Sequence, residues 1–233
     1  MAKELVETPL FLDSSLVAYY KLEDVNDSKG GFTLTNNNTV TFAAAQFNNG
    51  ADFGTANTNK SLSVAQDLGL DSTSSRTISL WAKMRTELSG ADSFGDFAVL
   101  THADIDINWR VGYWRESGTN KVVVNRGKNG IGTTGIKTST NLGTSNFYHI
   151  ALTWDGTTLT GYLNGASFGT ETPSGSGNNG FSDEFRIGAD TAGTNFISAY
   201  VDDVAVFSRC LTADEIFSIY TGEFPGGSIA YFM

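Results

Sequence analysis

Apolar and polar residues alternate over much of this chain, which is the period of strands with one buried face. The longest run is Asp104 to Trp114. Ile105, Ile107, Trp109, Val111 and Tyr113 fall on one side of it, and Asp104, Asp106, Asn108, Arg110 and Trp114 on the other. The first set is expected in the core. In Arg76 to Met84, Ile78, Leu80 and Ala82 alternate with Ser79, Trp81 and Lys83, so both faces carry bulk. That pattern predicts a central strand of a two-layer sandwich. Further strands are expected at Leu16–Leu22, Phe97–Leu100, Lys121–Arg126, Phe147–Trp154, Leu159–Leu163 and Glu184–Gly188. Ser117-Gly118, Asp155-Gly156 and Asn164-Gly165 supply hairpin turn chemistry between them. Roughly twelve to fourteen short strands fit a two-sheet antiparallel jelly roll.

The period changes once. Val201, Val204, Val206 and Phe207 have strand composition, whereas Leu211, Ile216, Phe217, Ile219 and Tyr220 recur at helical spacing. Thr212 to Glu215, TADE, has the form of a capping box, and Gly222 suits a left-handed helix end. An all-β fold with one short helix near its C-terminus follows. Asp202 and Asp203 interrupt the last strand, and strict alternation sends them to opposite faces. They read either as solvated edge carboxylates or as a place where one carboxylate holds a cation. Residues 1–14 and 223–233 read as terminal extensions around a core at 16–222, the first a weakly ordered lead-in. Thr86 to Asp96 is polar and Gly-containing, and reads as a long surface loop.

Composition adds exclusions. The 233 residues, with 26 Gly and 16 Phe, suit one sandwich domain. A formal net charge of −10 disfavours nucleic acid as a partner. Cys210 is the single cysteine, so no internal disulfide forms. No apolar run is long enough to insert into a membrane. The first residues, MAKELVETPLFLDSS, lack the basic and apolar regions of a secretory signal. His102 and His149 stand 47 positions apart without an obvious triad pattern, and His149 reads as a structural core residue. No P-loop, dinucleotide fingerprint, CxxC or HExxH occurs.

The ordered set ISLWAK, FYHIALTWDGTTLTGYLNG, FRIG and YVDDVAVFSRCLTADEIFSIY resembles the laminin G-like domains of the concanavalin A-like lectin and glucanase superfamily. The resemblance covers Leu16 to Tyr220. It implies a structural calcium ion, carried by position onto Glu23, a backbone carbonyl near Gly50, and Asp202, with the oxygen donors that calcium prefers. It also implies that ligands lie across a concave sheet. There Asp104, Asp106, Asn108, Arg110 and Trp114 have sugar-site composition: polar groups for hydroxyls and an aromatic face for the apolar side of a pyranose. Glycosidases of this fold carry acids at alternate strand positions, but in Asp104-Ile105-Asp106-Ile107-Asn108 the last residue is an amide that cannot protonate a leaving group.

The expected function is therefore a non-enzymatic recognition module, calcium-stabilised, that binds a glycan or a protein surface and works outside the cell, at a cell surface or on a phage particle. The alternative is a structural or assembly protein of a phage or bacterial surface, in which Ser228 to Met233 adds as a strand to a second copy.

Overall fold

The computed structural model describes residues 2–55, 59–70, 74–87, 93–101, 107–126, 135–172, 184–189 and 196–224, with backbone alone at 93, 94, 99–101, 107 and 108. Fifteen strands occur among them. They are β1 (Leu16–Tyr20), β2 (Thr35–Asn37), β3 (Thr41–Ala44), β4 (Asn49–Asp52), β5 (Ser61–Val64), β6 (Arg76–Met84), β7 (Ser93–Thr101) and β8 (Ile107–Glu116), followed by β9 (Thr119–Arg126), β10 (Ile136–Lys137), β11 (Tyr148–Trp154), β12 (Leu159–Leu163), β13 (Ala166–Glu171), β14 (Glu184–Ile187) and β15 (Ala199–Phe207). One sheet runs β13-β12-β11-β6-β15-β4-β3, with β1 also paired to β15. The other runs β10-β9-β8-β7-β14-β5-β2. Pairing is antiparallel throughout, as in β11 against β6 and β8 against β9.

Alternation builds the layer between the sheets. Ile78 and Leu80 of β6, Ile150 and Leu152 of β11, and Val201, Val204 and Val206 of β15 come from one side. Trp109, Val111 and Tyr113 of β8, Val122 and Val124 of β9, and Phe185 and Ile187 of β14 come from the other. Full burial of each such side chain contributes about 1.5–3 kcal/mol. The expected core face of β8 is thus confirmed at Trp109, Val111 and Tyr113. Central β6 also carries bulk outward, through Trp81.

The turns follow their chemistry. Ser117 and Gly118 have φ of 50° and 81°, and Asn164 and Gly165 have 50° and 78°. Positive φ at both central residues matches the right-handed twist of the flanking strands.

The helix α1 (Ala213–Thr221) starts at the expected capping box. Thr212 Oγ1 accepts from the Glu215 N–H at 3.2 Å, and Glu215 Oε2 accepts from the Thr212 N–H at 2.8 Å. Gly222 ends it in a left-handed conformation, φ 72°. Arg209 then ties the helix to the chain start, contacting Glu215 at 2.6 Å and Asp13 at 2.7 Å.

Two expectations are corrected. The first residues are not a loose lead-in. Two 3-10 turns, Leu5–Glu7 and Pro9–Leu12, place Leu5 and Leu10 in a second apolar cluster with Tyr19, Ala205, Phe207, Leu211, Ile216 and Ile219. The cause lies in β1 and β15, whose outward positions carry Tyr19, Ala205 and Phe207 and need a cover. The second correction concerns the loop expected up to Asp96. Ser93 to Asp96 already belong to β7 and pair with Arg115 to Gly112 of β8. The polarity of Asp96 reflects a buried ionic partner rather than solvent.

Candidate functional site

The register of the seven-stranded sheet sets one residue from each of six strands in a row across its outer face. Thr35 of β2 lies opposite Ser63 of β5, Ser63 opposite Arg186 of β14, and Arg186 opposite Val99 of β7. Val99 in turn opposes Arg110 of β8, and Arg110 opposes Asn125 of β9. The expected ligand residue Arg110 therefore stands inside a polar row that sequence separation conceals.

Arg110 is 1% exposed and forms an ion pair with Asp96, Nε to Oδ1 at 2.5 Å and a second guanidinium nitrogen to Oδ2 at 2.9 Å. A buried charge persists only when paired and hydrogen-bonded. Gly112, opposite Asp96, makes room for the pair: a Cβ there would lie 3.1 Å from Asp96 Oδ1 and 2.9 Å from the Gly95 carbonyl. Arg110 is thus a bound-in member of the face. Trp114 is 8% exposed, with Lys137 Nζ 3.6 Å from its ring centroid, so a cation already covers one face of the ring. Asp104 and Asp106 lie outside the described residues, as does His102, and Asn108 is described by its backbone in β8.

Beside Arg110, sequence reasoning missed Arg186 and Asn125. Arg186 donates to Ser61 Oγ at 3.2 Å and to Glu184 Oε2 at 2.8 Å, while its Nε is buried without a hydrogen-bond partner. Asn125 is 4% exposed and its Oδ1 likewise has none. Buried polar atoms are nearly always satisfied, so an unpaired donor and an unpaired acceptor on one sheet face mark a place where something else completes the bonds. Only their shared alternation phase with Arg110 could have signalled them.

The expected calcium residues are partly brought together. Gly50 packs against the last strand: a Cβ on it would meet the Val201 carbonyl at 2.8 Å and Asp202 Cβ at 3.2 Å. Glu23 instead pairs with Lys21 at 3.0 Å, and Lys21 also reaches Glu4 at 3.4 Å. Among the described residues, no three acidic, histidine or cysteine side chains converge as a metal would need. Gly50 and Asp202 are thus neighbours, and the calcium expectation does not enter the function proposed below.

Asp202 and Asp203 are neither on opposite faces nor solvated. The register shifts between Asp202 and Ala205, and Asp203 takes a left-handed φ of 55°. This bulge turns both acids to the outer side. Asp202 is 1% exposed and accepts from the Phe47 N–H at 2.8 Å. Asp203 accepts from the Tyr19 hydroxyl and from the Leu5 N–H at 3.2 Å. Burial pushes the Asp202 carboxyl up to about 8, and the nearby Asp203 and Glu4 charges add to the rise. Burial likewise raises Asp203 to about 7, against the lowering effect of its bonds to Tyr19 and Leu5. His149 has the structural role expected of it. It is fully buried in β11, its Nε2 lies 2.8 Å from Ser79 Oγ, and burial holds its pKa down to about 3.

The two stacked antiparallel sheets with one short helix define the class as an all-β jelly-roll sandwich. The chain belongs to the laminin G-like family of the concanavalin A-like lectin/glucanases superfamily, whose model matches residues 53–217. No curated protein sequence matches it. Among solved structures it is similar to domain 4 of AbnA, a GH43 extracellular arabinanase from Geobacillus stearothermophilus, in complex with arabinotriose. That likeness has a TM-score of 0.65 at 17% identity and covers 88% of this chain and 98% of that one. The binding domain of botulinum neurotoxin DC in complex with SialylT is similar with a TM-score of 0.68 at 14% identity, over 90% of this chain and 52% of that chain. The same binding domain with rat synaptotagmin II gives 0.69 at 15% identity, over 89% and 51%. The chain therefore spans about half of the toxin binding domains and nearly all of the arabinanase domain.

Proposed function

We propose that the protein is a non-enzymatic recognition module that binds carbohydrate on the outer face of its seven-stranded sheet. The observation that carries this reading is the row Arg186, Arg110 and Asn125, in which Arg186 Nε and Asn125 Oδ1 are buried and unsatisfied. A sugar hydroxyl both donates and accepts, so an oligosaccharide lying along the row, across the strands, offers a partner to each. Arg110, fixed by Asp96, holds the row rigid, and a preorganised site loses less entropy on binding. Saccharides bound to two similar domains, arabinotriose and SialylT, support the ligand class.

A glycan array tests the reading. Hits are expected with the unaltered protein, and Arg186→Ala or Asn125→Ala is expected to weaken them while the thermal transition persists. An array without hits, or hits of unchanged strength in both substitutions, would reject it. Reducing-sugar release from the bound glycans would argue instead for a glycosidase.

A further inference from the structure

On the opposite side of the sandwich, the outer face of the eight-stranded sheet holds a cleft of about 440 Å³. Its walls come from β6, β11, the β12–β13 turn and the end of α1: Trp81, Phe147, Asn164 and Tyr220, with Gln46 and Glu223 at the rim. A volume of this size is ordinary for small-molecule sites.

The cleft is built rather than accidental. Trp81 stacks on Tyr220 with ring centroids 5.9 Å apart, and Phe47 meets Trp81 edge-on at 5.7 Å. His149, beneath, lies 5.3 Å from Trp81 and 6.3 Å from Tyr220. These contacts lock the aromatic wall in place. Trp81 is 3% exposed, and its indole N–H is buried without a hydrogen-bond partner. Asn164 is equally fixed: its Oδ1 accepts from the His149 N–H at 3.0 Å, which leaves the amide NH2 as a donor.

We propose that this cleft is a second ligand site, separate from the row on the seven-stranded sheet, and that it takes a neutral saccharide. The chemistry selects the class. Aromatic walls suit the C–H face of a pyranose or furanose, while an amide donor, a two-way amide at Gln46 and a carboxylate at Glu223 suit hydroxyls. A sugar hydroxyl entering beside Trp81 supplies the acceptor its N–H lacks. A quaternary ammonium ligand fits less well, because Lys83 Nζ already sits 5.8 Å from the Phe147 ring centroid. The proposal rests on the reading of the protein as a carbohydrate binder, and it makes that binder bivalent, with one site on each side. Two sites on one rigid body raise avidity for a polymeric glycan without any new contact.

Nuclear magnetic resonance of the four tryptophan indole groups tests it on the full chain, with Trp81→Phe assigning the signal. Arabinotriose, cellotriose and mannotriose are titrated to millimolar concentration, and tetramethylammonium serves as the competing probe. The Trp81 indole signal is expected to shift and saturate with at least one trisaccharide, both in the unaltered protein and in Arg186→Ala. Tyr220→Ala and Gln46→Ala are each expected to weaken that saturation about tenfold, the equivalent of about 1.4 kcal/mol, with the remaining indole signals unmoved. A Trp81 signal that ignores all three trisaccharides, follows tetramethylammonium instead, or still saturates at the same concentration in both cleft variants would overturn the second site. A shift that vanishes in Arg186→Ala would overturn it too, because the ligand would then sit on the other sheet. Array hits of unchanged strength in Arg186→Ala and Asn125→Ala while Trp81 responds would reject the first site and leave the cleft as the binding site.

Discussion

The two outer faces of this sandwich solve the same problem in different ways. On the eight-stranded sheet the outward residues Tyr19 of β1 and Ala205 and Phe207 of β15 form an apolar patch, and other parts of the chain cover it: Leu5 and Leu10 from the first residues, Leu211, Ile216 and Ile219 from around the helix. On the seven-stranded sheet the outward residues are polar, and burial is sustained by ion pairing and hydrogen bonds among Asp96, Arg110, Arg186 and Ser61. The first face is held by area and the second by geometry. Area tolerates adjustment, whereas a buried ion pair fails at once when one member is lost.

The sharpest test of that difference is Arg110→Ala. It leaves Asp96, which is fully buried, without its guanidinium, and should cost about 3–5 kcal/mol in chemical denaturation. Removing both charges with Asp96→Ala in the same chain should cost less than the sum of the single changes, since no charge is then stranded. Additive losses would mean that the pair does not hold this face. On the apolar face, Ile216→Ala deletes a fully buried side chain of the second cluster and should cost about 2–5 kcal/mol, with no partner effect at a distance. A loss under about 1 kcal/mol would show that the helix merely rests on the sheet.

The acid pair lies where the apolar cover meets β15, and it makes stability depend on pH. Both carboxyls titrate higher in the folded protein, about 8 for Asp202 and about 7 for Asp203, than the ordinary 3.8. Between these values the folded state holds more protons than the unfolded one, so stability is fullest below about pH 4 as far as these groups are concerned and falls as pH rises toward 8. The groups that face them are Glu4, Lys21 and Tyr19. Asp203→Asn keeps an acceptor for only one of the two donors, the Tyr19 hydroxyl or the Leu5 N–H, and removes the titrating carboxyl. It should flatten the fall between pH 5 and 8 by at least about 1.4 kcal/mol, the worth of a single pKa unit. An unchanged slope would show that Asp203 does not titrate there.

Much of this was legible from residues alone. Alternation in Asp104–Trp114 gave Trp109, Val111 and Tyr113 as core, TADE gave the cap, and the turn pairs gave the hairpins, because each is a local signal. The candidate site was less legible for a physical reason. Period two tells which residues share a face but not what lies opposite them, so it does not show that Asp96, fourteen positions away on β7, pairs with Arg110. Arg186 and Asn125 are distant in sequence and fall in one row only through register. Asp203 was misplaced because a bulge breaks the very alternation used to place it. The first residues read as a lead-in because Leu5 and the short patch Pro9 to Leu12, set among acidic and small polar residues, carry no periodicity of their own.

The smallest expected effect also bears on the comparison, because it asks whether the cover forms as a helix before it packs. Thr212→Ala removes the oxygen that accepts the Glu215 N–H at the first turn of α1 and should cost about 1 kcal/mol. Glu215 remains held by Arg209, at 2.6 Å, so the helix end keeps one of its two restraints and the fold persists. If the cap matters chiefly for holding the cover down, amide exchange should quicken at Ile216 and Ile219 but not in β8 or β9, since local opening exposes only the elements that the helix covers. Exchange that quickens equally in both sheets would mean that the two faces open as one unit, and that the distinction between a covered face and a paired face carries no weight in the folded protein's motions.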